Sequence, residues 1–130
     1  MKHNERRRQM KRTWKQKFAD CFSGLSEIRR QSSFYVHFTA AAAVIIAALL
    51  LGNFDTVRWS LLFLCIAVVI TAEMLNTALE LFARAVITSY NPNIRRALNT
   101  ASAAVLIIAA GAAATGIVLF TESLWKVFCR

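Results

Sequence analysis

Three stretches of this chain carry no charged side chain: Ala40 to Leu51, Leu61 to Ala72 and Ala97 to Phe120. They constrain its folding more than any other feature. A small soluble domain disperses its charges, whereas here the charges gather between and beyond the apolar runs, although the chain as a whole carries a formal net charge of +9. With 57% hydrophobic residues and a mean hydropathy of +0.46 over 130 residues, the chain can supply one domain. The expected fold class is an all-α integral membrane protein, with three transmembrane helices preceded by an N-terminal amphipathic surface helix.

The first span runs from about Phe34 to Gly52, enough helix to cross roughly 30 Å of hydrocarbon. Gly52, Asn53, Phe54, Asp55 and Thr56 then supply turn chemistry in a connection so short that the next helix returns antiparallel. That second helix is expected over about 57–87, outlasting its apolar part through Glu73, Asn76, Glu80 and Arg84. Tyr90, Asn91, Pro92 and Asn93 break it, and Arg95 and Arg96 follow. A third span over about 97–120 is rich in Ala, Gly and Ser, a composition that permits close helix packing. Residues 1–30 form a basic segment and residues 31–130 the membrane domain.

Ten of the sixteen Lys and Arg residues fall in the first thirty positions, opposed only by Glu5, Asp20 and Glu27. No zinc spacing, helix-turn-helix signal or set of stacking aromatics accompanies this block. The expected partner is therefore the anionic headgroups of membrane lipids and not nucleic acid. Trp14, Phe18, Cys21, Phe22, Leu25 and Ile28 recur every three or four residues, with Lys15, Lys17 and Asp20 off that stripe. Such a helix either lies in the headgroup layer or packs on the protein's own spans. The excess of Lys and Arg before the first span, joined by Arg84, Arg95 and Arg96 after the second, places the N-terminus in the cytoplasm. No cleaved signal peptide is expected, because the apolar run begins some thirty residues in. Cys21, Cys65 and Cys129 suggest neither a zinc site nor a disulfide framework.

Glu73, Asn76 and Glu80 are three and four residues apart, so a helix presents them on one face. Carboxylates at a membrane boundary are costly unless paired, hydrated or bound to a cation, which makes function the default reading. A purely structural alternative pairs Glu80 with Arg84 one turn on and uses Glu73 and Asn76 as hydrogen-bonding links between helices.

The run Glu73-Met74-Leu75-Asn76-Thr77-Ala78-Leu79-Glu80 resembles the E-x-L-N-T/S-A-I-E signature of the prokaryotic diacylglycerol kinase and undecaprenol kinase family. The basic amphipathic N-terminal helix, the order of the spans and the segment Ser102-Ala103-Ala104-Val105-Leu106 extend the resemblance over roughly Trp14 to Phe120. The resemblance implies a homotrimeric lipid kinase of the bacterial inner membrane that uses ATP and Mg²⁺ to phosphorylate a lipid alcohol such as diacylglycerol or undecaprenol. It further implies Glu73 as the general base, Asn76 as a residue of the same site, and Glu80 as the carboxylate that binds Mg²⁺.

The chain departs from the pattern at four polar positions. The family's upstream metal-binding glutamate falls on Gln31, in Gln31-Ser32-Ser33-Phe34, which runs on to Val36-His37 much as in undecaprenol kinases. A downstream aspartate is Arg84, and a Lys-Asp pair at the start of the third span falls on Leu98 and Asn99. Gln31 and Asn99 thus stand at binding positions with amides in place of carboxylates, and Arg84, Arg95 or Arg96 offers guanidinium groups to phosphate. The substitutions leave open an impaired relative that acts as a membrane binding or scaffold protein. A holin-like protein shares the spans but gives no reason for three polar residues on one face.

Overall fold

The computed structural model describes residues 13–28 and 32–129. Within them the chain forms helices α1 (Trp14–Ile28), α2 (Ser32–Leu51), α3 (Thr56–Val86) and α4 (Pro92–Phe128). The last three are long and apolar enough to cross a membrane. The chain is thus the all-helical multi-pass membrane protein that its charge pattern predicts.

Helix α1 carries Trp14, Phe18, Phe22 and Leu25 as an exposed apolar stripe, so these side chains are not packed on the long helices. The Lys17 ammonium lies 4.6 Å from the centre of the Trp14 ring, a cation–π contact on the helix's own surface. The remaining basic residues of the N-terminal block, Lys15 excepted, lie outside the described residues.

The turn after α2 needs its glycine. Gly52 has φ of +65°, the left-handed conformation that costs an L side chain roughly 1–2 kcal/mol, and its N–H donates to the Ala48 carbonyl at 3.4 Å. Asp55 then caps α3, its carboxylate accepting from the Arg58 N–H at 2.9 Å. Asn91 caps α4 in the same way, accepting from the N–H groups of Asn93 and Ile94.

At 1.5 Å per residue α3 and α4 are about 46 and 55 Å long, so both outlast the hydrocarbon layer. The fourth helix exceeds the expected span at both ends. Pro92, read in the sequence as a breaker, occupies the first helical turn, where its missing N–H has no helical partner to lose. At the other end nothing interrupts the backbone until Cys129.

Helix α3 packs chiefly on α4, and α2 touches both more sparingly. The buried apolar residues are few: Ala48, Leu62, Ala83, Val105 and Leu119. Within one chain, the glycines of α4 leave open space beside the helix. A Cβ added at Gly111 or Gly116 would meet nothing within 4 Å. Because α2 is held by few contacts, the helices diverge around an apolar groove of about 480 Å³ lined by residues such as Ala40, Val44, Ile66, Ala113 and Gly116. Hydroxyls on the spans satisfy themselves locally, Ser60, Thr71 and Thr115 each donating to the carbonyl four residues earlier at 2.8–3.0 Å.

Polar and aromatic contacts fasten the α2–α3 turn to the end of α4. Asn53 Nδ2 donates to the Ser123 carbonyl at 2.7 Å, and Arg58 Nη2 donates to Glu122 Oε2 at 3.0 Å. Arg58 Nη1 also reaches the Asn53 carbonyl at 3.4 Å. Phe54 lies between Trp59 and Phe120, with ring centres 5.6 and 5.2 Å away.

Candidate active site

Fifteen residues on from Arg58, α3 presents Glu73, about 22 Å along the helix, and Glu80 follows about 10 Å further. Taking Arg58 and Glu122 as one boundary of a layer roughly 30 Å thick, Glu73 lies inside the far edge of that layer and Glu80 at the edge. Exposure changes in the same direction. The Glu73 side chain is 6% exposed and that of Glu80 is 32% exposed.

Residues of three helices meet along this face. From α2, His37 brings Nε2 to 3.8 Å from Glu73 Oε1. From α4, Ser102 Oγ lies 3.4 Å from Asn76 Oδ1 while also donating to its own helix at the Leu98 carbonyl, 3.1 Å away. Asn76 Nδ2 in turn donates to Glu80 Oε1 at 3.3 Å, and Arg84 Nη2 lies 3.6 Å from Glu80 Oε2. The contacts have one direction. A hydroxyl serves the amide oxygen, the amide nitrogen serves the carboxylate, and a guanidinium offsets its charge from the water side.

The sequence-predicted residues divide accordingly. Glu73, Asn76 and Glu80 share the face, and both links of the structural alternative are present in part, as the Glu80–Arg84 pair and the Asn76–Ser102 contact between helices. Asn99 is exposed on α4, one turn before Ser102, and its side chain makes no hydrogen bond among the described residues. Gln31 lies outside the described residues. Neither spacing nor the family pattern assigns a role to Ser102 or His37. A histidine inside an otherwise apolar span was the available signal for the second.

The family model described as prokaryotic diacylglycerol kinase matches residues 20–120, well over half of the chain. The chain belongs to the prokaryotic diacylglycerol kinase family. Among curated proteins it is 28% identical over 125 residues to the undecaprenol kinase of Bacillus subtilis (strain 168), an alignment that covers 95% of this chain and 100% of that protein. No solved structure matches. Membership supports a membrane lipid kinase, and the matched region contains the Glu73–Glu80 face, His37 and Ser102.

Proposed function

We propose that this family member transfers the γ-phosphoryl group of ATP to the hydroxyl of a lipid alcohol such as diacylglycerol or undecaprenol. The observation that carries the reading is the gradient along α3, from a buried Glu73 to a half-exposed Glu80 about 10 Å away. A lipid hydroxyl held in the layer and a phosphate chain reaching in from water would meet along such a face. Glu73 would take the hydroxyl proton as the oxygen attacks the γ-phosphorus, with ADP leaving in line. Asn76, tied to both Ser102 and Glu80, would hold the face in register. Asn99 and Gln31 would contact the nucleotide, with Arg84, Arg95 and Arg96 as exposed cations nearby.

Among the described residues no group of three His, Cys, Asp or Glu side chains is placed to hold a metal. Mg²⁺ would arrive with the nucleotide, since this ion keeps several waters and takes one or two protein carboxylates beside phosphate oxygens. Glu80 would supply the carboxylate, and the bound ion would offset charge on the transferring group. Glu80→Gln is expected to raise the Mg²⁺ concentration for half-maximal activity severalfold. A Mg²⁺ titration unmoved by the change would remove Glu80 as the ligand.

The wider setting follows from the same observations. The chain buries little apolar surface by itself, and large side chains such as Leu50, Phe63, Leu106 and Ile107 remain exposed along the spans. Lipid and a homotrimeric partner would cover them. The stripe of α1 and the basic block beside it would rest on anionic lipids at the cytoplasmic face of the bacterial inner membrane. The deciding experiment supplies purified protein with Mg²⁺, radiolabelled ATP, and diacylglycerol or undecaprenol in separate vesicles. Labelled phospholipid is expected with at least one acceptor. Its absence with both would favour the impaired, membrane-binding relative.

A further inference from the structure

We propose that His37 removes the proton that Glu73 collects in each turnover and returns it to water. The inference rests on the kinase reading above and assigns the step that reading leaves unfinished. A general base must become a carboxylate again before it can act a second time. Glu73 has little water of its own, with 6% of its side chain exposed.

The groups around it leave one candidate. His37 Nε2 is 3.8 Å from Glu73 Oε1, and among the described residues it is the ion-pairing side chain within 4.0 Å of that carboxylate. Apart from His37, α2 carries Tyr35 as its sole ionisable side chain. On α4 no charged residue lies between Arg96 and Glu122. On α3 the next charge is Glu80, two turns away and engaged with Asn76 and Arg84.

His37 also differs from Glu73 in access. Its side chain is 23% exposed, nearly four times as much, and it lies about 8 Å from the start of α2, towards the end of the helix that meets water. Imidazole can accept a proton at one ring nitrogen and release one from the other. The lipid O–H proton passes to Glu73 as the oxygen bonds to phosphorus, and from Glu73 Oε1 to His37 Nε2. The imidazolium gives its Nδ1 proton to water, and exchange with water restores the tautomer with Nε2 free. An approach of about 1 Å, or one bridging water, completes the contact. The sparing packing of α2 on its neighbours permits that approach.

The test compares wild type, His37→Ala and His37→Gln in the same vesicles with Mg²⁺, radiolabelled ATP and the accepted lipid. Both variants are expected to lose about 10²-fold in kcat, the low end for a positioned proton-transfer group, with KM for ATP unchanged. Added imidazole should restore much of the His37→Ala rate. Pyrazole, similar in shape but a far weaker base, should not. A wild-type kcat in His37→Gln, or equal rescue by the two rings, overturns the proposal while leaving Glu73 as the base. A wild type that labels no lipid overturns this proposal and the kinase reading together.

Discussion

Glu73→Gln is expected to lower lipid phosphorylation about 10²- to 10⁴-fold, the range attributed to a positioned general base. The amide has nearly the volume of the carboxyl, so the packing of α3 against α2 should survive. Yet it cannot take a proton from an attacking hydroxyl, and the His37 ring would face a neutral group. Product should fall with either lipid while the thermal midpoint in detergent moves little. An unchanged turnover would remove Glu73 from the mechanism. A protein that unfolds on substitution would assign the residue to structure instead.

The second large effect concerns stability and lies at the other end of the bundle. The Arg58 side chain is 8% exposed, but that of its partner Glu122 is 59% exposed, so the two halves of the pair are not equivalent. Glu122→Ala leaves a buried guanidinium with only the Asn53 carbonyl, and should cost about 3 kcal/mol, the lower end of the range for an orphaned buried charge. Arg58→Met leaves a carboxylate that water can reach, and should cost less. Combining the two should recover much of the Glu122→Ala loss, because no unpaired charge then stays buried. Unfolding midpoints of the four proteins decide the matter, and additive losses would show that the pair does not act as a unit.

Much of the architecture was legible because it rests on one-dimensional signals. Uncharged runs identify the spans, Gly52 and Asp55 mark the first turn, and the eight residues from Glu73 to Glu80 carry the family signature. Spacing alone also placed Glu73, Asn76 and Glu80 on one face. What stayed hidden depends on how helices rotate and cross, which periodicity does not set. Ser102 meets Asn76 across 26 positions, and His37 meets Glu73 from a helix whose polar residues had no evident partner. The third span was expected to end near Phe120, yet α4 continues to Phe128, since a charge at Glu122 that finds Arg58 is no reason for a helix to end.

The Arg58–Glu122 contact also has a history in time. Its members are 64 residues apart, and at about 5–20 residues per second roughly 3 to 13 s separate their synthesis. During that interval Arg58 has no carboxylate to meet, and its guanidinium, in the first turn of α3, can be satisfied only by headgroups or water. The turn between α2 and α3 would then stay hydrated at the surface until α4 packs against it. The end of α4 would fasten a hairpin made before it.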